Sequence, residues 1–191
     1  MRERVNPENN NKQNFVLRGF NSIQIGLYFI TFTFLFKSLF DGFLSDVSLL
    51  GMMSVEIIEF SAIAFILLLI SLSGLAVLFS SRRITKRSGY KLMNKKSFRQ
   101  FAFYLGWTLP AFLILYTTAH SGHSMYVGVA FLFLLGTILI VLNSNKKRPL
   151  YLLAVTSLSL GVISYLIPTY WYSSLMIMGG AFFVYGIMIK K

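Results

Sequence analysis

The chain has 191 residues, of which 55% are hydrophobic and only 13% charged, with a formal net charge of +12 and no cysteine. A water-soluble domain carries roughly 25% charged residues, so the chain is too apolar to present a water-facing surface all round. The missing thiols exclude disulfides, thiolate metal sites and cysteine nucleophiles. The basic excess does not point to nucleic acid, because the lysines and arginines sit between apolar runs and at the termini rather than in one patch.

In chain order, residues 1–14 are polar, rich in asparagine and of mixed charge, with no short apolar core leading to a cleavage site. They read as a lead-in to a retained span, not as a removed signal peptide. Six apolar stretches follow: 23–40, 57–79, 101–119, 125–142, 150–167 and 170–189, each 18 to 23 residues long. At 1.5 Å per residue, 18 residues make about 27 Å of helix, close to a hydrocarbon core of roughly 30 Å. The runs lack the polar–apolar alternation of barrel strands, and a helix satisfies its own backbone in lipid. The expected fold is therefore an all-α, polytopic integral membrane protein, a single domain of six transmembrane helices arranged as three hairpins.

Charge gives the orientation. Arg2, Arg4, Lys12 and Arg18 precede the first run; Arg82, Arg83, Lys86, Arg87, Lys91, Lys95, Lys96 and Arg99 fill the segment 80–100; Lys146, Lys147 and Arg148 follow the fourth run; Lys190 and Lys191 end the chain. Seventeen of the eighteen basic residues thus fall on one side of a six-span arrangement. By the positive-inside rule that side is cytoplasmic, with both termini on it. The expected location is a bacterial inner membrane, and the basic segment 80–100 is expected to anchor on anionic headgroups.

The opposite side gathers the groups able to titrate. Lys37, the one basic residue inside a run, stands four positions before Asp41 and reads either as a snorkelling lysine paired with that carboxylate or as a group on a polar path. Glu56 and Glu59 share a face at the start of the second helix, where negative charge meets the unpaired amides. They are read as helix-end charges or as a cation-capturing mouth. His120 and His123 flank a tight turn between the third and fourth runs. They are read first as ordinary loop residues; the alternatives are two metal ligands, fewer than a zinc site needs and completed only by an Asp or Glu of the first outer loop, or a pH-sensing imidazole pair on an acidic face. No cofactor is implied, and no glycine-rich phosphate cradle occurs.

Small residues recur through the fifth run at Ala154, Ser157, Gly161 and Ser164, as helices that approach closely in lipid require. Pro110 falls mid-way along the third. The last pair of runs sets Gly161 seven residues before Pro168, Gly180 twelve after it, and Gly179 seven before Gly186. That pattern resembles the repeated hairpin of the HdeD-like small six-span membrane proteins. The resemblance covers about 40 residues; the middle hairpin has Gly106 and Gly136 but no turn proline. It implies a stress-related membrane protein and transfers no catalytic residue. The sequence thus favours a non-enzymatic membrane component that meets the bilayer, a membrane-protein partner or its own copies. A proton or small-cation channel, and a membrane-embedded enzyme using the histidines, are the rivals.

Overall fold

The structure, a computed structural model, describes residues 17, 19–44, 55–88, 95–121, 126–142 and 148–189. Among these every element is helical: α1 (Gly19–Leu44), α2 (Val55–Ser88), α3 (Lys95–His120), α4 (Val127–Leu142), α5 (Arg148–Leu166) and α6 (Trp171–Ile189). A single 3₁₀ turn, Pro168–Tyr170, joins the last two. Four helical stretches are long and apolar enough to cross a membrane: Gly19–Gly42, Phe60–Arg83, Ala102–His120 and Pro168–Ile189. Two shorter ones, Val127–Val141 and Leu150–Leu166, are equally apolar in character.

Apolar side chains run round each helix rather than along one stripe, the composition of a helix with no water-facing side. The outward surface accordingly carries Phe60, Leu109, Leu166 and Met188 at 70% exposure or more. A soluble monomer does not leave such contiguous apolar area in water. Several apolar helices with an apolar exterior describe a membrane protein.

What holds the bundle together is close backbone approach. Helices α1 and α6 run antiparallel, Gly26 against Gly179 and Gly19 against Gly186. A methyl group added at Gly26 would lie 2.5 Å from the Gly179 carbonyl oxygen and 2.8 Å from the Phe183 nitrogen; one at Gly186 would lie 2.5 Å from the Gly19 carbonyl oxygen. Across the same seam the buried Ser22 hydroxyl donates to the Phe182 carbonyl at 2.8 Å. Small residues are what allow helices to gain dispersion contact in lipid, where no hydrophobic force separates protein from solvent. Phe29 fills the space beside the seam, its ring 5.4 Å from Phe182 and 5.8 Å from Phe131.

A second seam joins α4 to α5. Gly136 lies under Leu158, Gly161 under the Phe133 ring, and the Ser157 hydroxyl donates to the Leu132 carbonyl at 2.8 Å. The stripe Ala154, Ser157, Gly161 and Ser164 is buried throughout, and Ser164 also donates to Ser174 of α6 at 2.7 Å. Each helix touches its sequence neighbours, and the α1–α6 seam closes the ring. The closest packing therefore lies between the expected hairpins, not within them, because the small residues face that way.

Helices also run further than the apolar stretches. Much of the segment 80–100 is helical, since α2 continues to Ser88 and α3 begins at Lys95. Lysine and arginine are good helix formers, and cations suit the carbonyl end of α2. Pro110 lies inside α3 without ending it.

Gly26→Ala is expected to lower stability by about 1–3 kcal/mol, the usual cost of overpacking. Gly74, where an added methyl meets nothing within 4 Å, should gain up to about 1 kcal/mol on substitution by alanine. Parallel thermal unfolding in one detergent checks both, and equal shifts would show that the seam does not carry the bundle.

Candidate functional site

At one end of the bundle the close of α1 meets the start of α6. Pro168, which has no amide proton to leave unpaired, opens the turn. Tyr170 N–H donates to the Ile167 carbonyl at 3.0 Å, and the Trp171 amide to the Pro168 carbonyl. This tight reversal delivers Trp171 against Phe36 and Phe40, with ring centroids 5.3 Å and 6.3 Å away. Phe36 in turn meets Phe65 of α2 edge-on at 5.4 Å, and Gly128 of α4 lies beneath the indole. The rings surround a small cavity of 60 Å³ that also reaches Thr33, Ala62 and Leu175.

Lys37 sits beside this aromatic cluster. Its ammonium is 4.0 Å from the Asp41 carboxylate and 4.3 Å from the centre of the Tyr172 ring. The pairing with Asp41 was legible in the four-residue spacing; the Tyr172 ring was not, because it comes from α6. Both charged groups are well exposed, at 38% and 61%. An exposed pair of this spacing contributes about 0.3–0.5 kcal/mol, and the ring adds roughly 0.5–1 kcal/mol. These are modest, local interactions.

Of the other residues singled out in the sequence, His120 has a described side chain. His120, exposed at the end of α3, stacks on Tyr116 of its own helix with centroids 5.7 Å apart. Glu56 and Glu59 lie in the first turns of α2, as expected, while His123 lies outside the described residues. Among the described residues no group of three His, Cys, Asp or Glu side chains is placed to hold a metal ion.

A more enclosed apolar space than the open one beside Thr117 and Tyr165, and a larger one than the cavity beside Trp171, lies elsewhere. A cleft of 270 Å³ opens between α2 and α3 and reaches α1, α4 and α6. Its wall on α2 runs from Leu69 through Ser73 and Gly74 to Leu78, and on α3 from Tyr104 through Trp107 and Thr108 to Leu115. Helices α2 and α3 make little contact with each other, which is why the space exists. Two wall atoms, Ser73 Oγ and Trp107 Nε1, are buried without a hydrogen-bond partner. So is the amide of Asn21, 1% exposed on α1 between Leu17 and Ile25, which also line the cleft. Leaving such groups unpaired costs about 1–3 kcal/mol each. No local motif announces this cleft, since its walls are contributed by five helices; an exposed glycine in an apolar helix, Gly74, was the one available sign.

Lys37→Met should shift stability by no more than about 1.5 kcal/mol, the loss of an exposed pair and a ring contact together. Trp171→Ala, which strips three ring contacts from a half-buried position, should cost about 2 kcal/mol or more. Denaturation in detergent measures the two, and the reverse order would make the ion pair the organising contact of this end.

Comparison with known proteins adds no family to this geometry: no family model matches the chain, and no curated protein or solved structure matches it.

Proposed function

We propose that the chain is a six-span protein of a bacterial cytoplasmic membrane, with its basic connections and both termini in the cytoplasm, acting as a non-enzymatic accessory component. The observation that carries this reading is the division of charge along an apolar bundle. Seventeen of eighteen basic residues fall on one side of the six apolar stretches, while Asp41, Glu56, Glu59 and both histidines fall towards the other. The engagement of Lys37 with Asp41 and Tyr172 supports an interfacial, structural role for that lysine. A stress-related role accords with the glycine–proline pattern of the last hairpin, which resembles the HdeD-like proteins.

A channel for protons or small cations is the second reading, favoured by the meeting of Lys37 and Asp41 at one end of the bundle. Against it stands the apolar character of the cleft between α2 and α3, whose walls, among the described residues, carry no carboxylate, lysine, arginine or histidine. Water and ions entering such a space meet a dewetting barrier instead of ligands.

The cysteine-free chain is suited to a direct test. A cysteine placed at Lys91 should react with a membrane-impermeant maleimide only in inside-out vesicles, and one at Ser124 only in right-side-out vesicles. Reaction of both from the same side would overturn the topology. Purified protein in liposomes should give no proton flux above lipid alone; flux abolished by Lys37→Met would favour the channel.

A further inference from the structure

The cleft between α2 and α3 has the dimensions and surroundings of a lipid site. Its α2 wall spans ten residues and its α3 wall twelve, from Leu69 to Leu78 and from Tyr104 to Leu115, or about 14 and 16 Å from end to end at the helical rise. Half of a hydrocarbon core roughly 30 Å thick is the same depth, so the cleft is as long as one leaflet is deep. An apolar cavity of about 150 Å³ stays dry and takes up benzene; 270 Å³ of mostly apolar space is room for a longer chain. Gly74 keeps it open at an exposed rim, since no atom stands within 4 Å of where its Cβ would be.

The two ends of the cleft differ in charge. Leu69 lies in the apolar middle of α2, and Leu115 lies five residues before the end of α3, away from its basic start. At the other end, Leu78 is followed on α2 by Arg82, Arg83 and Lys86, all exposed. Tyr104 is preceded on α3 by Lys95, Lys96 and Arg99 within the helix's first turns. An occupant that matches this gradient is apolar along about 15 Å and anionic at one end. Arg82 stands four residues beyond Leu78, one helical turn along the same face, so the charged end follows directly from the apolar wall.

We infer that the α2–α3 cleft binds an anionic phospholipid of the cytoplasmic leaflet, one acyl chain lying against Gly74 and Trp107 and the phosphate held by Arg82, Arg83 and Lys86. The inference rests on the membrane orientation proposed above. It goes beyond a basic segment touching headgroups, because it gives the lipid a seat for its chain as well as its charge.

The two tryptophans, Trp107 in the cleft and Trp171 at the opposite end, provide the test. Single-tryptophan variants, Trp171→Phe and Trp107→Phe, are reconstituted in phosphatidylcholine vesicles containing a small fraction of phosphatidylglycerol brominated on its chains, or the same fraction of brominated phosphatidylcholine. Trp107 fluorescence should be quenched preferentially by the anionic lipid, with an apparent enrichment of roughly fivefold or more, as a single basic side chain near the surface supplies. Trp171 should be quenched without preference. The preference should vanish on Arg82→Gln, Arg83→Gln and Lys86→Gln together, and weaken as salt shortens the screening length. Gly74→Leu, which fills open space, should reduce quenching of Trp107 by both lipids and leave Trp171 unchanged. In the wild-type protein, mass spectrometry from detergent should find phosphatidylglycerol retained over phosphatidylcholine, and Gly74→Leu should lose it. Equal quenching of Trp107 by the two lipids, or a preference surviving the triple substitution, would overturn the site while leaving the membrane reading intact. Failure of either lipid to quench either tryptophan would overturn the membrane reading, and the site with it.

Discussion

A methyl group has no room at Gly26, Gly179 or Gly186, and the rest of the bundle is arranged around that fact. Where side chains are absent from both helices, the backbones themselves touch, and the Ser22 hydroxyl reaches the Phe182 carbonyl across the gap. Inside lipid an apolar side chain gains nothing by leaving the solvent, so cohesion has to come from contact density and from hydrogen bonds between helices. The α1–α6 seam provides both. By joining the first helix of the ring to the last it fixes the ring's closure, and it brings the Trp171 turn against the end of α1.

The uneven distribution of small residues explains the uneven packing. Gly136, Ala154, Ser157 and Gly161 draw α4 and α5 together. No comparable set faces the α2–α3 boundary: Gly74 and Gly106 each leave an open position instead of a close contact. The bundle is therefore tight on the side of α1, α6, α5 and α4 and loose between α2 and α3. The same glycine residue type serves opposite ends in the two places. At Gly26 it admits a neighbouring backbone; at Gly74 it leaves space. The difference matters for function, because a lipid chain competes for a site only where protein packing is incomplete.

Electrostatics is a secondary influence on the fold and a primary one on placement. The described ion pair, Lys37 with Asp41, is exposed and contributes little. The basic residues are gathered instead in the connections between apolar runs and at the termini. The helical extension of α2 to Ser88 carries that charge outward on a rigid rod and sets Arg82 one turn beyond the apolar wall of the cleft. Of the titratable residues noted in the sequence, His120 stacks within α3, while Lys37 belongs to an α1–α6 contact.

The helices and their apolar exterior were legible from residue order, because hydropathy and helix length are local quantities. The Lys37–Asp41 pair and the buried stripe from Ala154 to Ser164 were legible for the same reason, each being a spacing along one helix. The partner of each stripe was not. Gly179 and Gly186 stood out as a seven-residue repeat, yet that they face Gly26 and Gly19 depends on which helix stands beside α6, and apolar helices carry little pattern to say so. The Tyr172 ring over Lys37, the cluster around Trp171 and the α2–α3 cleft are likewise products of helices distant in sequence. Residue order determined that this chain makes apolar helices with basic residues in the connections between them; only the tertiary structure decided where they press together and where they leave a gap.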